Sequence, residues 1–82
     1  MGLKRSGPRT LTEAHGDVVK RRPGDSATAV QWQKFHQQNK RVYQAVADID
    51  RGHHHELLYW VEYEQRKVED LTEQIRQGKA NA

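Results

Sequence analysis

Six basic residues in the first part of the chain form the group whose charge best suits binding to a polyanion. Residues 1–24 hold six basic and two acidic side chains, for a net charge of +4. Each phosphate that such a segment neutralises releases counterions, so binding to DNA or RNA would depend strongly on salt. A solubilising tail, or an arm that docks on an acidic protein surface, is the alternative. The candidate nucleic-acid-binding residues are Lys4, Arg5, Arg9, Lys20, Arg21 and Arg22.

Three consecutive histidines followed by Glu56 are the candidate metal ligands. Imidazole and carboxylate groups bind zinc or nickel, but a structural zinc site usually takes four ligands from two separated segments. Adjacent residues on a turn point in diverging directions, which favours a polar turn over a metal site. Metal binding or pH sensing by the imidazoles is the weaker alternative, and we predict no cofactor. The residues concerned are His53, His54 and His55.

Aromatic residues exceed what a pair of helices would need for its own core. We interpret the surplus as a second buried surface, a homodimer interface, because aromatic side chains supply large contact areas. Stacking on nucleic-acid bases would need basic residues between the rings, whereas Glu56, Glu62 and Glu64 lie there. The alternative is that these helix faces bind a different partner protein. The candidate interface residues are Trp32, Tyr43, Tyr59, Trp60 and Tyr63.

The sequence holds no arrangement of residues that is typical of an enzyme. It has no cysteine nucleophile, no glycine-rich phosphate loop and no His-Glu-x-x-His pair. The two serines, Ser6 and Ser26, lie in the basic segment and at a predicted helix start. A helical chain of 82 residues also has little room for a substrate pocket. We therefore expect a protein without catalytic residues.

Two amphipathic helices must position these side chains. Hydrophobic residues recur at alternating spacings of three and four from Trp32 to Ile49 and again from Leu57 to Ile75. The second stripe is out of register with the first by one residue, which indicates that the chain turns rather than continues as one helix. If the helices fold back on each other, Asn39 of the first faces Glu64 of the second, and the amide can donate to the carboxylate.

Capping residues predict where the two helices begin and end. Asp25 or Ser26 is predicted to cap the first helix. Gly52 is predicted to end it, because glycine adopts the left-handed conformation without steric cost. The second helix is predicted to end at Gly78.

The basic segment contains one further helix signal. Thr10 and Glu13 have the spacing of a capping box, which predicts a short helix after Thr10. Leu11 and Val18 would lie on its apolar face. Two interpretations remain open: the helix folds only when the arm docks on a partner, or these residues cover part of the long helices.

The predicted fold class is all-α, an antiparallel helical hairpin turning at Gly52 and preceded by a basic, mostly disordered N-terminal arm. The predicted divisions are a flexible arm over 1–24, a helical-hairpin domain over 25–78 and a frayed tail over 79–82. Only 34% of the residues are hydrophobic and there is no cysteine, so the small core needs additional stabilisation. Dimerisation into a four-helix bundle would supply it.

These features together predict a small non-enzymatic dimeric regulator or accessory protein that binds nucleic acid through its arm. The alternative is an adaptor or inhibitor that binds a partner protein through its aromatic helix faces. No apolar run approaches the roughly 20 residues that a membrane span requires. We therefore expect a cytoplasmic protein with no membrane partner.

Overall fold

The structure, a computed structural model, describes residues 7–78 and folds them into three α-helices. A single 3-10 turn lies between the second and third helices, and the described residues contain no strand. The prediction of an all-α fold is therefore confirmed. Lys4, Arg5 and the tail predicted over 79–82 lie outside the described residues. The elements are α1 (Leu11–Arg21), α2 (Ala29–Ile49), the turn Arg51–His53 and α3 (His54–Arg76).

Helix α2 begins later than predicted, with Thr28 as its N-cap. The Thr28 hydroxyl accepts from the backbone N–H of Gln31 at 3.2 Å, and the Gln31 side chain accepts from the N–H of Thr28 at 2.8 Å. This reciprocal pair satisfies two backbone donors that a helix start leaves open. The prediction that Asp25 or Ser26 caps α2 is therefore wrong, because only Thr28 has a glutamine at the position that completes the box.

The turn between α2 and α3 also differs from its prediction. Helix α2 ends at Ile49 with Asp50 as its C-cap, and Gly52 lies inside the 3-10 turn without a positive φ. The prediction that Gly52 ends α2 in the left-handed conformation is wrong. The positive-φ glycine of the described residues is Gly78, with φ 76°, which follows α3 at the predicted place.

Helices α2 and α3 pack against each other and are linked by polar side chains. Gln33 donates to the Thr72 hydroxyl at 2.8 Å near one end. Near the other end, the Nδ1 atom of His54 lies 2.9 Å from the carbonyl oxygen of Ala47. Residue numbers fall along one helix as they rise along the other, so α2 and α3 run in opposite directions.

Helix α1 packs on α2, which corrects the expectation of a mostly disordered arm for the part of it that the structure describes, residues 7–24. Thr10 caps α1 by accepting from the Glu13 backbone N–H at 3.1 Å, as the capping pattern predicts. Leu11 and Ala14 are buried in the core. Of the two interpretations of this segment, the structure has the one in which α1 covers part of the long helices. Its apolar residues offset the cost of ordering it.

One core is shared by the three helices. The predicted stripes contribute Val46 and Leu57, but Tyr43 and Ala47 are also buried because α1 packs on their side of α2. Ile49, a predicted stripe member, is 46% exposed. Within residues 7–78, no helix has the length and apolar character needed to cross a membrane. The core residues are Leu11, Ala14, Tyr43, Val46, Ala47 and Leu57.

Candidate functional site

Residues 7–9 and the exposed side of α2 enclose a basic cleft. Arg9 lies on one wall, Arg41 on the other, and the cleft has a volume of about 440 Å³. Its floor is aliphatic, and Gln38 supplies an amide at the rim. No acidic residue of the described part of the chain lines it. The lining residues are Gly7, Pro8, Arg9, Gln38, Arg41, Val42, Ala45, Val46 and Ile49.

Glu13 forms a hydrogen bond to the segment of residues 7–9 that borders this cleft. Its carboxylate accepts from the backbone N–H of Arg9 at 2.8 Å. Gly7 and Pro8 separate the basic cleft from a second cleft, which Glu13, Asp17 and Lys20 line. The carboxylates near this segment therefore belong to the second cleft, and the basic cleft keeps its positive charge.

The remaining predicted basic residues have unequal environments at the end of α1. Lys20 is exposed, whereas Arg21 is half-buried and forms an ion pair of 2.8 Å with Asp17. The Arg21 guanidinium also lies 5.9 Å from the centre of the Phe35 ring. Arg22 is exposed, with its guanidinium 5.2 Å from the centre of the Trp32 ring. Cation–π contacts of this kind help to attach α1 to α2 and leave the positive charge in place.

Charge is distributed unevenly between the two long helices. Helix α2 carries three basic and one acidic side chain, a net charge of +2. Helix α3 carries three basic and six acidic side chains, a net charge of −3. The positive face therefore combines α2 with the N-terminal segment, which sequence reasoning had treated as separate regions.

Helix α1 is anchored at its start by a carboxylate from the end of α2. Asp50 accepts from the backbone N–H of Leu11 at 3.0 Å and contacts the Nδ1 atom of His53 at 2.9 Å. The bond from Leu11, followed by that from His53, holds the pKa of Asp50 below its ordinary value of 3.8. A carboxylate at a helix N-terminus is also favoured by the helix dipole. This contact was missed because the sequence gives no sign that residues 11 and 50 meet.

Tyr43 is 2% exposed and lies under α1, which contradicts its predicted place in a dimer interface. Its hydroxyl lies 2.8 Å from the Nδ1 atom of His15. Burial, and then the nearby charge of Glu64, raise the pKa of Tyr43 to about 12. The rings of His15 and Trp60 meet edge to face at 5.1 Å. Helix α1 of the same chain, rather than a second copy, therefore covers Tyr43.

A polar cluster occupies the middle of the contact between α2 and α3. Asn39 Nδ2 donates to Glu64 Oε1 at 3.4 Å, so the predicted facing pair is present. His36 Nδ1 contacts the same carboxylate oxygen. Asn39 is completely buried and Glu64 is 3% exposed. Among the described residues, Oδ1 of Asn39 has no hydrogen-bond partner.

The aromatic residues that α1 leaves uncovered lie along α3. Tyr59 is 57% exposed, whereas Trp60 and Tyr63 are partly exposed. Their rings meet edge to face, with Trp60 5.3 Å from each of its neighbours. The Lys67 ammonium lies 5.4 Å from the centre of the Tyr63 ring. Trp32 is also partly exposed but lies on α2.

The histidine turn directs its side chains to different partners. His53 contacts Asp50, His54 contacts the carbonyl oxygen of Ala47, and His55 is exposed. Within residues 7–78 there is no group of three or more His, Cys, Asp or Glu side chains placed to hold a metal ion. His53 and His54 act as links between the turn and the helices.

Of the four predicted basic residues that the structure describes, Arg9 alone lines the basic cleft, and Arg41 joins it there. On a helical wheel Arg41 falls opposite the apolar stripe of α2, so the sequence alone predicts that it is exposed. The sequence could not show that residues 7–9 fold back beside that helix. Comparisons of the chain with protein-family models, curated proteins and solved structures find no match.

Proposed function

We propose that this chain is a small non-enzymatic regulator or accessory protein that binds nucleic acid through its basic N-terminal segment and α2. The observation that carries the proposal is the pairing of Arg9 and Arg41 across one cleft that no described acidic residue lines. Guanidinium groups form paired hydrogen bonds with phosphate oxygens. Two of them from separate elements favour a phosphate chain over a single small anion.

The uneven charge of the molecule supports the same surface. The net charge of −3 on α3 repels a phosphate backbone, and the +2 on α2 attracts it. Lys20 and Arg22, both exposed at the end of α1, are two further basic side chains of the N-terminal segment. We do not include Arg21 in the binding surface, because it forms an ion pair with Asp17 and contacts the ring of Phe35.

We further propose that two copies associate as a dimeric four-helix bundle of helical hairpins. Tyr43 takes no part, since α1 buries it. Apolar side chains of α3 that remain exposed near the turn, Leu58 at 41% and Tyr59 at 57%, are the surface that a second copy would cover. A dimer would double the number of phosphate contacts and steepen the salt dependence of binding.

Two triple variants test the nucleic-acid proposal. The first replaces Arg9, Lys20 and Arg41 by glutamine, and the matched control replaces Arg66, Lys67 and Arg76 of α3. Both remove three exposed positive charges, so they have the same net charge. The dissociation constant for a labelled oligonucleotide, single-stranded and duplex, is measured by fluorescence anisotropy between about 50 and 200 mM salt.

The first variant is expected to lose affinity and to lower the slope of log affinity against log salt by about two. The α3 control should keep the slope of the unmodified protein. Equal effects of the two variants would show that only net charge matters, and absence of binding by the unmodified protein would refute the proposal.

A second candidate function is an adaptor or inhibitor that binds a partner protein through Tyr59, Trp60 and Tyr63. Its support is the exposed ring of Tyr59 beside two partly exposed aromatic rings, since aromatic residues dominate many binding surfaces. Tyr59→Ser with Tyr63→Ser separates the two functions. Loss of a captured protein, with oligonucleotide binding unchanged, would favour the adaptor.

A further inference from the structure

The basic cleft differs from an ordinary phosphate-binding surface because most of its floor is aliphatic. Val42, Ala45 and Ile49 recur on one side of α2, and Ile49 is 46% exposed. Val42 and Val46 of this lining also pack in the hydrophobic core, so the exposed part of the floor is formed by Ala45 and Ile49. These two side chains offer an apolar contact surface beside the basic groups of the cleft.

From this arrangement, and resting on the proposed function, we infer that the cleft receives one unstacked nucleotide of a single strand, its phosphate on Arg9 and Arg41 and its base on the aliphatic floor. The volume of about 440 Å³ lies in the range of sites for small organic groups, about 300 to 1,000 Å³. Gln38 at the rim supplies an amide that can both donate to and accept from a base edge.

A duplex fits this cleft poorly. Its bases are stacked and paired, so a base enters only after it has been extruded from the stack, which costs free energy. Single strands offer unstacked bases without that cost. The cleft therefore favours single-stranded over duplex nucleic acid.

An acidic amphipathic helix of a partner protein is the competing occupant. A helix is about 10 Å across, so two turns of one exceed the 440 Å³ of the cleft. Residues 7–9 form a wall of the cleft and would have to move before such a helix could reach the floor. A single nucleotide requires no such movement.

A neighbouring groove on α2, which shares Arg41 with the basic cleft but none of its apolar side chains, provides a matched control position. Gln37, Lys40, Arg41, Gln44, Gln65 and Val68 line this groove, so its α2 residues are all polar. Ala45 and Gln44 are adjacent and both exposed. Ala45→Trp fills the basic cleft without changing charge, and Gln44→Trp adds the same bulk outside it.

Three labelled probes of equal length are compared with these variants: an oligodeoxythymidine strand, an abasic strand with the same number of phosphates, and a duplex. The unmodified protein is expected to bind the oligodeoxythymidine about tenfold more tightly than the abasic strand. Ala45→Trp should lower the affinity for the oligodeoxythymidine to that for the abasic strand. Gln44→Trp should keep the preference. Ile49→Gln, which removes apolar floor instead of filling the cleft, should reduce it.

Equal binding of the oligodeoxythymidine and abasic strands by the unmodified protein would overturn the inference while leaving the proposed function intact. Tighter binding of an acidic amphipathic peptide than of any strand, lost in Ala45→Trp, would replace the nucleotide by a protein partner. Failure of all three probes to bind would refute the proposed function, and the inference with it.

Discussion

Glu64 accepts hydrogen bonds from two side chains of α2, and both depend on it for a partner. Glu64→Leu leaves the Asn39 amide and the Nδ1 atom of His36 without that acceptor. We expect the free energy of unfolding to fall by about 1 to 3 kcal/mol, the cost of unsatisfied buried polar groups. Urea denaturation followed by circular dichroism measures it.

The double variant Asn39→Leu with Glu64→Leu is the informative comparison. It removes both buried polar groups, including the unpartnered Asn39 Oδ1, and His36 keeps access to water because its side chain is 14% exposed. Replacing a buried polar pair by apolar residues is often neutral or stabilising. We expect the double variant to recover at least half of the loss. A double variant with a lower free energy of unfolding than Glu64→Leu would contradict this account of the polar cluster.

Tyr43 makes a pH-dependent contribution to stability that can be isolated by Tyr43→Phe. Its pKa is raised from 10.0 to about 12, so between these values the unfolded chain ionises while the folded chain keeps the phenol. The unfolded state then binds fewer protons, and stability falls as pH rises. In urea unfolding at pH 8, the unmodified protein should be more stable than Tyr43→Phe by about 0.5 to 1.5 kcal/mol, the contribution of one hydrogen bond. This difference should shrink above pH 10; a constant difference would contradict the assignment.

Helix α1 depends on the carboxylate of Asp50 for its position. Asp50→Ala removes the acceptor of the Leu11 N–H, so amide hydrogen exchange should accelerate in α1 and remain slow in the middle of α2 and α3. Asp48→Ala removes a nearby exposed carboxylate and serves as the control. Because the pKa of Asp50 is lowered, its stabilising effect is present above pH 3.8 and is lost as pH falls through the folded-state pKa. Uniform acceleration in all three helices would contradict a local role.

Gly16 lies in the middle of α1, and a Cβ atom there would meet no atom within 4 Å. Gly16→Ala should therefore stabilise the protein by about 1 kcal/mol, the difference in helix propensity. Gly78→Ala is the contrasting change, since φ is +76° and alanine would be strained. The midpoints of urea unfolding measure both. A destabilised Gly16→Ala would mean that α1 requires glycine for a reason other than local structure.

The long helices could be predicted from sequence, and the position of α1 could not. Local spacing determines an apolar stripe, so the predicted facing pair Asn39 and Glu64 is present. The cap at Thr28 also has a local signal, because Gln31 completes its capping box. Asp25 and Ser26 were predicted instead, since Asp and Ser are stronger N-caps than Thr when the capping residue is considered alone. Contacts such as Leu11 with Asp50 join distant parts of the chain and have no local signature.

At the scale of the whole molecule, the packing of α1 determines which aromatic residues remain exposed. The surplus of rings in the sequence predicted a second buried surface, but the number of rings alone could not say whether the same chain or a second copy would cover each of them. Packing of His15 against Tyr43 and Trp60 answers this for those two rings. Among residues 7–78, Tyr59 remains the most exposed aromatic side chain.

The candidate site was only partly predictable from the sequence, because it combines residues that are distant along the chain. Positive charge in residues 1–24 is read directly from the sequence, whereas its combination with Arg41 depends on how residues 7–9 lie beside α2. Within residues 7–78, α2 therefore carries a net positive charge, α3 carries a net negative charge, and the basic cleft lies beside α2.

The most direct test of the central claim is the pattern of amide chemical-shift changes when an unlabelled single-stranded oligonucleotide is added to ¹⁵N-labelled protein. The account predicts that the largest changes occur around the basic cleft, at Arg9, Arg41 and Ala45, and that the exposed face of α3 changes little. Largest changes at Tyr59 and Tyr63, or no change at any residue, would contradict it.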